Sequence, residues 1–211
     1  MIFRRISVVV GAAGLLALPA TAAQAAPAAQ GTSAAPGSPA AQGTQAASAV
    51  RVAQVASEQD VSFLQAVHQD NLAEVGAGRI AWTSTADPNV KRVAAALMRD
   101  HIRLDADLYS VARRLRVSLP DTPTREQEAL ANRYRLAPAN TFDEYFISTQ
   151  LAGHRADLRL IAAQIETGTD RSVVQLAAKA RTVIEHHRQL LRDAAEARGM
   201  AGYLGTGGRN G

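Results

Sequence analysis

Four side chains that can bind a metal lie on apolar stripes of the sequence, one in each long segment with helical spacing: Glu74, His101, His154 and His187. Neutral imidazole donates a ring nitrogen, and Glu74 adds an anionic oxygen. Three such nitrogens and one carboxylate suit one divalent transition-metal ion, with zinc, iron, manganese and copper as candidates. Asp105 follows His101 by four residues, and Asp157 follows His154 by three. That spacing is about one helical turn. Each aspartate is therefore placed to accept the other ring N–H of its histidine, which fixes the tautomer and orients the ring. Met98, one turn before His101, reads as core packing. His68 and His186 fall off the shared stripes and are expected at the surface, as is the carboxylate of Asp100.

A single histidine on an apolar stripe is ordinarily a hydrogen-bonded core residue. The competing reading of the same residues is thus a buried hydrogen-bond network in a structural or interaction module of the cell envelope. Relative height bears on the choice, and height depends on the helices.

Ser57-Glu58-Gln59-Asp60 and Thr141-Phe142-Asp143-Glu144 resemble capping boxes. Asp87-Pro88 places a cap before proline at the first helical position, and Asp170 caps the last segment. Between these starts, apolar residues recur at helical spacing: Phe63 and Val67, then Val90 to Leu115, then Phe146 to Ile165, then Val173 to Ala194. Four long helices follow. The first and second are joined by a few residues, as are the third and fourth, so each pair forms a hairpin. Residues 117–140 are too long for a direct turn; they contain Pro120, Pro123 and a short helix around Arg125–Tyr134. This stretch can run the length of the bundle. The expected fold is therefore all-α: a ferritin-like four-helix bundle, up-down-down-up, with a long crossover carrying a short helix. In that topology the four candidate ligands fall within about three residues of one height, roughly 5 Å.

The rest of the chain divides by composition. Residues 1–25 read as a signal peptide: Arg4 and Arg5 precede an apolar run from Ile6 to Leu18, and Ala-x-Ala sites follow. Residues 26–56 form an Ala/Pro/Gln/Gly linker with Arg51 as its single charge, 57–199 form the bundle, and 200–211 form a Gly-rich tail. All 19 acidic residues lie at or beyond Glu58, as expected if only the later part folds. The protein is expected to be exported, without a transmembrane anchor after cleavage, and to meet an envelope partner or a second copy of itself. Cysteine is absent, which excludes disulfides, zinc–thiolate sites and thiol catalysis. Aromatic residues make up 4% of the chain and form no basic stacking face, so nucleic acid is not an expected partner.

The run Val93-Ala94-Ala95-Ala96-Leu97-Met98-Arg99-Asp100-His101, Phe142-Asp143-Glu144-Tyr145, Gln150 with His154, and His187 resemble the secreted ferritin-like "domain of unknown function 4142" family. Phe63, Asn71 and Glu74 are similar to its first-helix pattern, and the resemblance covers about 59–195. It implies an exported ferritin-like bundle with no established activity. Family members commonly carry proline five residues before the last histidine, where this chain has Thr182. The wider ferritin-like superfamily holds two irons through Glu-x-x-His motifs and further glutamates. Here Met98, Leu151 and Ile184 occupy the position three before each histidine, and only Glu74 supplies a carboxylate to the layer. One ion, or none, suits this chain better than two. No nucleophile motif, phosphate loop or acid–base pair is present, so the sequence argues against an enzyme.

Overall fold

The computed structural model describes residues 56–200. The expected signal peptide, the linker up to residue 55 and the tail beyond Met200 lie outside them. The described residues form five helices and no strand: α1 (Glu58–Ser84), α2 (Pro88–Leu115), α3 (Arg125–Leu136), α4 (Ala139–Thr167) and α5 (Arg171–Ala197). Among the described residues, no helix is long and apolar enough to cross a membrane.

Short polar side chains start four of the five. Ser57, Asp87 and Asp170 accept hydrogen bonds from the first-turn amides of α1, α2 and α5. Thr124 and Gln127 close a reciprocal capping box on α3. The start of α4 differs from the sequence expectation. It begins at Ala139, after Pro138, with no side-chain cap, so Thr141 lies inside the helix. Asp143 turns instead to Arg198, 3.1 Å away. Proline cannot continue a helix behind itself, and its fixed φ suits a helix start, which makes a polar cap dispensable here.

α1 and α2 pack closely as a hairpin. A methyl group at Gly78 would lie 2.8 Å from Met98 Cγ and 2.9 Å from the Ala94 carbonyl, so glycine permits the approach. α4 and α5 form the second long-helix pair. Two polar clamps tie the pairs together. At one end, Arg198 after α5 reaches Asp87 before α2 at 3.0 Å, as well as Asp143 in α4. At the other, the buried Asp60 in α1 accepts from Gln164 Nε2 (2.6 Å), Thr169 Oγ1 (2.6 Å) and Asp170 N (3.0 Å) near the α4–α5 turn. Burial opposes ionisation of Asp60, but hydrogen bonds from Thr169, Ser57, Asp170 and Gln164 outweigh it and pull its pKa down to about 2.

The crossover helix α3 is held by one deeply placed aromatic. Tyr134 is 1% exposed and packs edge-on against Phe142, Tyr145 and Phe146, while its hydroxyl meets Thr149 Oγ1 at 2.6 Å.

The apolar interior is in two parts. One contains Ala77, Leu97, Leu151 and Leu191. The other contains Val67, Leu104, Ile161 and Ile184. On α2, α4 and α5 the residues between these two sets include His101, His154 and His187, and on α1 they include Asn71 and Glu74. A polar layer thus separates two apolar cores.

Candidate metal centre

Helical spacing explains why the three histidines point inward. His101 lies four residues after Leu97 and three before Leu104, His154 three after Leu151, and His187 three after Ile184 and four before Leu191, all of them core residues. Each imidazole is therefore carried on its helix's buried face. His101 is 2% exposed, and His154 and His187 are fully buried. Their ring centroids are separated by 5.2 Å (His101–His187), 5.6 Å (His154–His187) and 6.1 Å (His101–His154). One ligand-capable nitrogen from each ring lies within 4.8 Å of the other two.

Hydrogen bonds divide two of the three rings into an occupied and an unoccupied side. His101 Nδ1 is 2.9 Å from Asn71 Oδ1, and its Nε2 is buried without a partner among the described residues. His187 Nε2 is 3.1 Å from Asp100 Oδ2, and its Nδ1 is likewise buried without a partner among them. Both nitrogens of His154 lack a hydrogen-bond partner among the described residues; Asp157 Oδ2 stands 3.7 Å from Nδ1. Asn71 and Asp100 accept from the ring N–H, which leaves the lone pair of the remaining nitrogen on His101 and His187 for another use.

Burial keeps these rings neutral. It lowers the His101 pKa to about 3, with the neighbouring His187 adding to the effect and Asp100 opposing it. Burial also drives His154 well below its ordinary value, helped by His101 and His187. His187 is lowered by burial against the opposing pull of Asp100. A neutral imidazole is the form that binds metal.

A family model for the domain of unknown function (DUF4142) matches residues 41–194. The chain belongs to this family. No curated protein and no solved structure matches it.

Of the residues selected from the sequence of this DUF4142 member, the structure brings His101, His154 and His187 together. Glu74 is not in that group; it lines a cavity with Asp70, Asp157 and Gln150 beside α3. Its Oε2 is buried without a partner among the described residues. Burial raises the Glu74 pKa well above the usual carboxylate range, and Asp157 and Asp70 raise it further against a hydrogen bond from Gln150. Burial and Asp70 push Asp157 up to about 8. Asp70 rises to about 6 through burial, offset in part by the Gln127 amide.

Asp105 reaches His101 through an intermediary. It sits 2.7 Å from His68 Nδ1 and accepts from Asn71 Nδ2 at 3.3 Å, and Asn71 in turn meets His101. His68, expected at the surface, is 8% exposed because Asp105 draws it inward. His186 is exposed, as expected. Asp100, expected in solvent, is turned toward His187, and its pKa is about 2: burial raises it, but hydrogen bonds from Arg99 and His187 prevail. Asn71 and Asp100 are the hydrogen-bond partners of His101 and His187 that sequence reasoning missed. Asn71 lies three residues before Glu74 and Asp100 beside His101, but each meets a histidine on another helix, which intrahelical spacing does not reveal.

Proposed function

We propose that this protein is an exported helical-bundle metal-binding protein that holds one divalent transition-metal ion on His101, His154 and His187. The observation that carries the reading is the set of buried ring nitrogens without partners, offered by three rings whose donor atoms lie within 4.8 Å of one another. A hydrogen-bond network would use those nitrogens. Leaving a buried polar atom unsatisfied costs about 1–3 kcal/mol, and a metal ion removes that cost on all three rings together. The metal reading is therefore favoured over the structural module.

Three neutral imidazoles rank zinc, copper and iron ahead of manganese, because imidazole suits the first three and oxygen donors suit manganese. The ion's charge is balanced by Asp100 on His187, Asp157 near His154, and Asp105 behind Asn71 and His101. Three protein ligands leave room in the coordination sphere for water or a small ligand. The role is retention of the ion outside the cytoplasm, as a buffer, sensor or protectant, rather than turnover.

For the fold we propose the ferritin-like up-down-down-up path. Its support is that Arg198 gathers the starts of α2 and α4 and the end of α5, while Asp60 gathers the start of α1 and the turn after α4. Export rests on the basic and apolar pattern of residues 1–25 and the Ala-x-Ala sites after it.

Titration of Co2+ into the metal-free, untagged protein tests the centre. The expected result is one equivalent with a ligand-field spectrum of nitrogen coordination, displaced by Zn2+ and lost in His187→Ala. A folded protein that gives no such spectrum supports the buried network instead.

A further inference from the structure

The carboxylates beside the histidines are spread out rather than converging on a point, and two of them line more than one cavity. A cavity of about 130 Å³ lies between α1, α3 and α4, with Asp70, Glu74, Tyr134, Gln150 and Asp157 in its wall. Inward, a smaller cavity of about 20 Å³ is lined by Asp70, Asp157, Asn71 and His101. Outward, a groove between α1 and α3 shares Ala73, Gln127 and Ala131 with the larger cavity. The groove, the acid-lined cavity and the small cavity beside His101 are thus neighbours that share wall residues. The Gln127 side-chain amide binds Asp70 Oδ1 where the groove and cavity meet.

Acidic residues alone could be a chance grouping of helix side chains. Gln150 argues otherwise. It is 3% exposed and lines the larger cavity, and its Oε1 is buried with no hydrogen-bond partner among the described residues. Its Nε2 is turned toward Tyr134 Oη at 3.4 Å, which leaves only its acceptor unused. Glu74 Oε2 is in the same condition. Unused oxygen acceptors with two further carboxylates call for a cation and its water. The volume holds several waters, at about 10–15 Å³ each, and so accommodates a hydrated ion. Nitrogen donors are absent from this wall, which separates it chemically from the histidine centre.

We infer that the cavity walled by Asp70, Glu74, Gln150 and Asp157 is a loading site, where a hydrated divalent cation is held on oxygen donors before it passes to the three imidazoles. The inference rests on the proposed metal centre and adds its route. Asp70 and Asp157 belong to both cavities and mark the transfer, and the Gln127–Asp70 bond on α3 must open to admit the ion. A site of this kind changes how fast the ion arrives and leaves, not how tightly the imidazoles finally hold it.

Stopped-flow binding of Co2+ tests this, with the ligand-field spectrum reporting arrival at the histidines. Asp70→Asn and Glu74→Gln keep side-chain size and replace a carboxylate oxygen donor with an amide, and circular dichroism checks that each variant folds. Each is expected to slow loading and release about tenfold. The final spectrum and equilibrium affinity are expected to match the unaltered protein. Glu166→Gln, an exposed acid on α4, is expected to leave the rate unchanged. Unchanged rates in Asp70→Asn and Glu74→Gln overturn the loading site while the metal centre stands. An altered spectrum with weakened equilibrium binding in Glu74→Gln also overturns it, because Glu74 would then be a ligand of the bound ion. No Co2+ spectrum in the unaltered protein overturns both proposals.

Discussion

Asn71 on α1 places its side-chain oxygen 2.9 Å from His101 Nδ1 on α2, and its amide nitrogen 3.3 Å from Asp105. One amide thus fixes the His101 ring through one end and is itself fixed by a carboxylate through the other. The tautomer follows: Nδ1 carries the proton and Nε2 keeps its lone pair.

Asn71→Ala removes that acceptor and leaves the His101 N–H buried. The expected cost is about 1–3 kcal/mol in the metal-free protein, with metal affinity weakened about 10–100-fold. Chemical denaturation and Zn2+ competition titration check the two parts separately. A loss of stability with unchanged affinity contradicts an orienting role for Asn71.

Asp100→Asn makes a similar change at His187 but removes a charge. Asp100 lies 3.1 Å from His187 Nε2 and is also bound by Arg99 at 2.8 Å. Metal affinity is expected to fall about 10–100-fold, and the Co2+ spectrum to keep its nitrogen character. The same spectrum with full affinity shows that Asp100 has no influence on the ion.

Asp60→Ala separates fold from function. This buried carboxylate accepts from Gln164, Thr169 and Asp170 as well as Ser57. Its removal strands several donors at once, and the expected loss is about 3 kcal/mol or more. Metal stoichiometry under native conditions is expected to stay the same, because Asp60 lies at the start of α1, about three turns from Asn71. The folded pKa of about 2 lies below the ordinary 3.8, so the Asp60 contribution is present above pH 3.8 and is lost as pH falls through about 2.

Near neutrality two groups of residues act in opposite directions on the metal-free protein. His101 titrates near 3 when folded against 6.5 ordinarily, so its contribution is full above pH 6.5 and is lost as pH falls toward 3. His154 and His187 act in the same direction. Asp70 and Asp157, at about 6 and about 8 against 3.8, stabilise fully below pH 3.8 and lose that share as pH rises through those values. Thermal unfolding in chelator is therefore expected to give a maximum Tm in mildly acidic solution, with losses on both sides. A Tm that rises steadily from acid into alkaline pH contradicts this arrangement of buried groups.

Much of the site was legible in sequence because helical period alone fixes which residues share a buried face. Leu97, His101 and Leu104 are one stripe, and so are Ile184, His187 and Leu191; an imidazole between two leucine-class residues has to point inward. Period does not fix the angle within that face. Asn71 and Glu74 are three residues apart on α1, so they project about 60° from each other. The first meets His101 and the second faces the cavity under α3. The sequence grouped Glu74 with the histidines because stripe and height agreed; stripe and height do not say that it also lines the cavity beside α3. The hydrogen-bond partners were the least accessible part. Asp100 is adjacent to His101 but serves His187 across the bundle, and Asp105 serves His68 and Asn71 instead of the histidine one turn away. Pairing between helices follows from packing, and packing at Gly78 and Tyr134 is not visible as a periodic signal.

Metal content of the untagged protein, purified without chelator and measured by elemental mass spectrometry, tests the central claim most directly. One equivalent of a divalent transition metal per chain is expected, reduced to background in the His101→Ala/His187→Ala double variant. Metal well below one equivalent that does not change in that folded variant contradicts a metal centre at His101, His154 and His187.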